Sequence, residues 1–224
     1  MALSGCEQRR DFLRFRLTLR FSGPDGTFEG SSVRETWFTE DPTWFPSDNT
    51  PNPRWRGEAT VVRLGGRRVI CGMLDGYSTV TGHLERSYGP WSPLEVLLQR
   101  RWAPLPGDFE DGRPRFRGAR PTTPELIEEL KKGELVLQPA ELPVLVALKD
   151  SSIPRSGRLV APSQISEVFP GLALGRCTVG VTRDHVRFGV VNEVMPWIAR
   201  GPDWVTVRDG DLSSNVVTED FSRK

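Results

Sequence analysis

The sequence predicts an α+β fold that is rich in β-structure: an antiparallel sheet built from hairpins, with two or three short helices and long Pro/Gly-rich insertions. Three observations predict it. Apolar and polar residues alternate along residues 12–22, which is the period of a half-buried strand. Two pairs of strand-like runs flank short turn sequences that contain Gly. The chain also has 22 Gly and 19 Pro among 224 residues, which favours turns over long helices.

The first strand shows the clearest pattern. Its apolar face comprises Leu13, Phe15, Leu17, Leu19 and Phe21, and its polar face includes Arg14, Arg16, Thr18 and Arg20. The turn Gly23-Pro24-Asp25-Gly26 leads into a second strand from Thr27 to Trp37, which predicts a hairpin with a four-residue loop. We interpret the arginines as a solvated face with acids opposite them; the alternative is a surface for an anionic partner.

Residues 39–54 contain four prolines and are predicted to form a loop, because proline is excluded from central strands and helix interiors. Four aromatic residues on or beside this loop are candidates for binding a partner: Trp37, Trp44, Phe45 and Trp55. Tryptophan offers a large, rigid contact area at a low cost in conformational entropy, so it is favoured in recognition surfaces. The alternative is that these rings fold back and cover the edge of the sheet.

A second hairpin is predicted from Trp55–Leu64 and Arg67–Leu74, joined by Gly65-Gly66. Glu58 interrupts its first strand. We place Glu58 on the polar face of this strand. If it faced inward instead, burial would raise its pKa and it could act as an acid.

Further elements follow with less regularity. Helices are predicted at 93–102, at 124–132 and at 162–169, and strands at 144–148, at 176–182, at 186–191 and at 203–208. Residues 75–92 and 103–121 are rich in Gly, Pro and polar residues and are predicted to be irregular. The predicted organisation is a signal-peptide or linker remnant at 1–11, one β-rich domain at 12–208 and a flexible C-terminal tail at 209–224.

The N-terminal residues Leu3-Ser4-Gly5-Cys6 look like the lipobox that ends a bacterial lipoprotein signal peptide, which makes Cys6 the candidate lipidation site. Only five residues precede Cys6, and a basic and an apolar region should come first. The lipidation hypothesis therefore requires a start upstream; the alternative is a cytosolic protein in which Cys6 is a free thiol.

Two cysteines remain after Cys6. In an oxidising compartment Cys71 and Cys177 are candidates for one disulfide. The alternative is two buried thiols that do not meet.

Composition and motifs exclude several classes of function. A net charge of +1 argues against nucleic-acid binding, and no apolar stretch is long enough for a transmembrane helix. The sequence has no nucleotide-binding, hydrolase or metal-site motif, so we predict no cofactor and no metal. The only histidines are His83 and His185, for which surface or turn positions are the favoured interpretation.

Several segments resemble an uncharacterised group of exported and lipoprotein-like proteins of Gram-negative bacteria. The matching segments are Gly30-Ser31-Ser32-Val33, Arg56-Gly57-Glu58-Ala59 through Val61-Val62 to Leu64-Gly65-Gly66-Arg67, Glu141-Leu142-Pro143 to Leu148-Lys149-Asp150, and Pro196-Trp197. Together they cover about a quarter of the chain, and their order carries the resemblance. The resemblance implies export but no activity.

The function expected from the sequence is that of a non-enzymatic, lipid-anchored periplasmic protein that binds a protein partner. Exported immunity proteins have a similar size and β-rich character, which is an analogy of architecture. Two alternatives remain open at this point. One is an envelope hydrolase that uses carboxylate chemistry, and the other is a cytosolic domain of unassigned role.

Overall fold

The computed structural model describes ten ranges of the chain: 12–39, 52–78, 84–85, 109–110, 113–114, 131–139, 142–199, 204–209, 212–217 and 221–223. The predicted remnant at 1–11 lies outside the described residues, and so do Trp44, Phe45 and His83. The same holds for the predicted helix at 93–102 and for nearly all of the predicted helix at 124–132.

The described residues form mainly strands. In chain order they are β1 (Phe12–Gly23), β2 (Gly26–Thr39), β3 (Asn52–Glu58), β4 (Thr60–Arg63), β5 (Val69–Ser78), β6 (Leu84–Glu85), β7 (Phe109–Glu110), β8 (Arg113–Pro114), β9 (Leu135–Leu137), β10 (Pro143–Leu148), β11 (Gly157–Val160), β12 (Ala173–Leu174), β13 (Cys177–Val181), β14 (Trp204–Asp209), β15 (Leu212–Val217) and β16 (Ser222–Arg223). The two α-helical segments of the described residues are short: α1 (Ile165–Val168) and α2 (Val190–Val194). Short 3-10 turns lie at Pro154–Ser156 and Pro162–Gln164.

Two large sheets contain most of these strands. The first sheet has the order β16-β3-β2-β1-β13-β9, with β12 also paired to β1. The second has the order β15-β14-β11-β10-β5-β4, with β6 also paired to β5, and β7 pairs with β8 separately. Among the described residues the pairing of β11 with β14 is parallel and the other pairings are antiparallel. The predicted β-rich, antiparallel fold class is confirmed.

The first hairpin has a tighter turn than expected. Strand β1 spans the predicted residues, and Gly23 pairs directly with Gly26. Two residues, Pro24 and Asp25, therefore form the turn instead of four. Strand β2 is longer than predicted: it continues to Thr39 and pairs along the whole length of β1.

The predicted strand Trp55–Leu64 is divided between the two sheets. Its first part, β3, pairs with β2 in the first sheet, whereas β4 pairs with β5 in the second sheet. The change occurs at Ala59, whose backbone N–H donates to the carbonyl of Phe221 at 2.7 Å. One continuous segment therefore joins the two sheets at a corner.

The core has two layers, one on each face of the second sheet. The inner face of β1 packs between the sheets with Val62, Ile70, Leu145 and Val160, and α1 closes this layer with Ile165 and Val168. On the other face of the second sheet, Val61, Cys71, Val146 and Leu148 pack against Val191 and Met195 of the α2 region and against Phe221. Strand β10 is buried along its whole length because both of its faces are covered.

The described part of the predicted tail at 209–224 contains two strands. Residues 212–217 form β15 against β14, and β16 pairs with β3. Phe221 is buried and its ring meets Trp197 edge-on, with a centroid distance of 6.3 Å. The segment is polar in composition, but its backbone pairs with strands and its one aromatic residue belongs to the core.

The predicted strand at 186–191 is also wrong. Residues 182–189 form no strand or helix, and α2 begins at Val190. None of the helices in the described part of the chain is long and apolar enough to cross a membrane.

Candidate functional site

The structure places Trp37 and Trp55 on neighbouring strands. In the pairing of β2 with β3, the backbone of Trp37 is opposite Arg54 and that of Trp55 is opposite Thr36. The side chain of Trp55 is partly buried and interacts with neighbouring residues. Residues 40–51, which include Trp44 and Phe45, connect the last pair of this hairpin, Thr39 and Asn52. The two ends of the aromatic, proline-rich segment are therefore held next to each other.

Glu58 is buried, as in the inward-facing alternative considered from the sequence, and not on the polar face where we placed it. It is only 3% exposed, so it is not on a solvated face. Its carboxylate accepts backbone hydrogen bonds from three consecutive residues: from Gly189 at 2.5 Å and Val190 at 2.9 Å, and from Val191 at 3.3 Å. These three N–H groups belong to the first turn of α2, where no backbone acceptor within the helix exists for them. Glu58 therefore caps a helix that lies about 130 residues further along the chain.

Gly57, which directly precedes Glu58, lies close to β2. Gly57 has φ +151°, and a Cβ there would lie 3.2 to 3.3 Å from the stem of Arg34 and the carbonyl of Val33. Glycine therefore lets β3 turn closely against β2 before Glu58 reaches α2. The segment Arg56-Gly57-Glu58-Ala59 accordingly joins the two sheets and α2.

A second acid, Glu35, is held between two arginines. Glu35 is 1% exposed and lies opposite Arg14 on β1 and Arg56 on β3. Its Oε2 is 2.6 Å from the Nε of Arg14, and its Oε1 is 3.0 Å from the Nε of Arg56. Burial raises the pKa of Glu35, but the contacts and charges of the two guanidinium groups outweigh burial and hold this pKa below its usual range.

The remaining arginines of β1 also pair with acids. Arg20 pairs with Glu29 directly across the hairpin, and Arg16 pairs with Asp184. The acids expected opposite these arginines are present, but the face is solvated only at Arg16 and Arg20, since Arg14 pairs with the buried Glu35. Both pairs are exposed, so they contribute little to the free energy of unfolding.

Sequence reasoning missed Arg34, which is buried between the two sheets. Its Nη2 donates to the carbonyl of Gly72 at 2.9 Å and to the hydroxyl of Thr60 at 3.3 Å. Thr60 in turn contacts the hydroxyl of Ser32 at 2.7 Å. Burial lowers the pKa of Arg34 to about 9. The one available signal was position, since Arg34 shares a face of β2 with Phe28, whereas Glu35 lies on the opposite face of the strand.

The two predicted disulfide partners do not meet, and both are free thiols. Cys177 packs between the sheets, whereas Cys71 packs on the far face of the second sheet with Val191. The disulfide prediction is corrected for this reason: β5 stands between the two sulfur atoms. Burial raises the pKa of Cys71 to about 12 and also raises that of Cys177.

The described histidine has no catalytic neighbour of the kind a dyad needs. His185 is exposed, and the adjacent Asp184 directs its carboxylate to Arg16. Within the described ranges, no group of three or more His, Cys, Asp or Glu side chains is arranged to hold a metal ion.

Comparison of the chain with protein-family models, with curated proteins and with solved structures gives no match. The chemistry of the site must therefore be inferred from its own residues.

Proposed function

We propose that this protein is a non-enzymatic, lipid-anchored protein of the bacterial envelope that binds a protein partner through the segment between Trp37 and Trp55. The observation that carries the proposal is the pairing of Thr39 with Asn52, which holds the two ends of the segment together. Closing such a segment in advance lowers the entropy lost on binding. Trp44 and Phe45 then provide the apolar contact area that anchors protein interfaces.

The roles of the buried acids support binding over catalysis. Glu58 was the candidate for an acid in the hydrolase alternative, and its carboxylate accepts three backbone hydrogen bonds. Glu35 is engaged by two arginines. A general acid must reach its substrate with a transferable proton. Both carboxylates have structural partners instead, which favours a protein that presents surfaces.

The binding part of the proposal is tested by comparing three bait proteins in an envelope extract of the native cells. The baits are the wild type, the double variant Trp44→Ala/Phe45→Ala, and Ile153→Ala as a control for loss of an exposed apolar side chain. We expect the double variant to lose a protein that the other two baits recover. Recovery of the same proteins by all three baits would contradict the proposal.

The anchoring part is tested separately, by labelling cells with an alkyne analogue of palmitate and expressing the protein from its own locus. We expect label on the wild type and none on Cys6→Ser. An unlabelled wild type in the cytosolic fraction would instead support the cytosolic alternative.

Of the predicted short helices, those at 93–102 and 124–132 fall largely outside the described residues, and we keep both as predictions.

A further inference from the structure

The segment between Trp37 and Trp55 is called the aromatic segment below. The structure contains a second surface, which the sequence did not indicate. It comprises residues 181–190, which we call the anchored segment. Of the five large apolar side chains that are exposed in the described residues, three lie in this stretch: Val181 at 38%, Phe188 at 37% and Val190 at 44%. Exposed apolar side chains usually occur singly, so three within ten residues of chain make this stretch the strongest candidate for an interaction surface.

Both ends of the anchored segment are held in place although its residues 182–189 form no strand or helix. At its beginning, the N–H of Thr182 donates to the carbonyl of Arg14 at 3.0 Å, and Asp184 pairs with Arg16. At its end, Glu58 accepts hydrogen bonds from Gly189 and Val190. The two ends of the backbone are thus held before any partner arrives, which reduces the ordering cost of binding.

The charge of the anchored segment is positive. Its one acid, Asp184, is neutralised by Arg16. Arg183 and Arg187 are exposed, and within the described part of the chain neither forms an ion pair. Other described surface arginines do pair with acids, as Arg20 does with Glu29 and Arg63 with Glu193. Two uncompensated cations beside apolar side chains are complementary to an apolar pocket rimmed by acids.

We propose that the anchored segment docks onto an acidic surface of a protein partner, with Phe188 in an apolar pocket and Arg183 and Arg187 opposite carboxylates. This inference rests on the proposed function and adds a second contact surface together with the chemistry of the partner. A protein fits better than an anionic membrane, because the segment carries only two unpaired cations, whereas anionic lipid surfaces are recognised by larger clusters of basic residues.

The first experiment identifies what lies against Phe188. The photoreactive substitution Phe188→p-benzoylphenylalanine is irradiated in native cells, with Ile153→p-benzoylphenylalanine as the control at another exposed apolar position. We expect a protein adduct at position 188 that is absent at position 153. Adducts only to lipid, only to a second copy of this chain, or to nothing would overturn the proposal.

The second experiment measures the affinity of the identified protein after separate purification. We expect Arg183→Glu/Arg187→Glu to raise the dissociation constant at least tenfold and to leave the melting temperature unchanged, because neither side chain supports the fold. Arg155→Glu/Arg176→Glu changes two other exposed arginines by the same charge and should leave the affinity unchanged. Lysines at the partner's acids should restore binding to the Arg183→Glu/Arg187→Glu variant.

The outcomes separate this inference from the proposed function. Equal affinity of the wild type and Arg183→Glu/Arg187→Glu would overturn the docking of the anchored segment. If Trp44→Ala/Phe45→Ala still weakened binding in that case, the proposed function would stand without it. If Trp44→Ala/Phe45→Ala bound normally, the proposed role of the aromatic segment would fail independently.

Discussion

Glu58 connects two parts of the chain that are far apart in sequence, and its removal should be costly. In Glu58→Ala the N–H groups of Gly189, Val190 and the buried Val191 lose their acceptor, so we expect the free energy of unfolding to fall by about 2 kcal/mol. Glu58→Gln keeps an acceptor oxygen and should cost about half as much. Urea titration measures both, with the exposed Glu29→Ala as a control expected to change stability by under about 1 kcal/mol. A Glu58→Ala protein as stable as this control would contradict the capping role.

Gly30 makes a second prediction at the scale of one residue. A Cβ at Gly30 would lie 2.0 Å from the carbonyl oxygen of Val61, where β2 crosses β4 at the corner between the sheets. We expect Gly30→Ala to lower the free energy of unfolding by about 3 kcal/mol, since the backbone must move to relieve the overlap. The neighbouring Ser31→Ala, on the exposed face, is the control in the same urea titration. Equal stability of the two variants would show that the strands do not approach so closely.

Both cysteines make a prediction that separates free thiols from a disulfide. In a Cys6→Ser background we expect no reaction of the native protein with a thiol reagent at pH 8, because Cys71 and Cys177 are buried and their pKa values are raised. In urea without reductant both thiols should react. If none reacts in urea, the two cysteines form the disulfide that the sequence suggested.

The orientation of some individual residues could be predicted from the sequence. The alternation along β1 identified the core face and the arginine face correctly, because a period of two depends on local geometry alone. Glu58 and Arg34 could not be assigned in the same way. Whether each is buried, and which atoms meet it, depends on α2 and on β4 and β5, and nothing local to β2 or β3 encodes those contacts.

Strands β1, β2 and β3 each contribute one residue to a cluster of a carboxylate between two arginines. This cluster predicts how the free energy of unfolding depends on pH. The pKa of Glu35 is held below its usual range between Arg14 on β1 and Arg56 on β3. A carboxyl group with a lowered pKa in the folded state contributes stability above its unfolded pKa, near 4.3. That contribution is lost as the pH falls through the lower, folded value. The wild type should therefore lose stability below about pH 4.

The variant Glu35→Gln isolates this contribution. We expect its midpoint of urea unfolding to be lower than that of the wild type at pH 7, and the difference between the two to shrink as the pH falls from 5 to 3. Glu29→Gln, which changes an exposed pair on the same hairpin, should keep a constant and small difference. A Glu35→Gln curve parallel to that of the wild type would contradict the account.

The elements also show where patterns in the sequence were insufficient. Strand β10 was predicted correctly as a continuous apolar run, and it is buried on both faces. Strand β15 was missed because its sequence is short and polar, and it forms by pairing with β14. The division of β3 from β4 was missed as well, since alternation continues across Ala59 while the strand passes from one sheet to the other.

At the scale of the whole molecule, the fold uses its buried charges for structure and leaves apolar side chains at the surface. Glu58 fixes both the strand corner and the end of the anchored segment, so one carboxylate supports the core and a proposed contact surface together. The aromatic segment is closed by the pairing of β2 with β3. A protein built in this way is suited to present fixed surfaces to a partner.

The most direct test of this account is the affinity, measured by calorimetry, of the partner recovered from the envelope for the wild type and for Trp44→Ala/Phe45→Ala. We predict a dissociation constant at least 30-fold higher for the double variant, because aromatic anchors carry most of the energy of such interfaces. Ile153→Ala should bind like the wild type. Equal dissociation constants for all three proteins would contradict the central claim that the aromatic segment binds the partner.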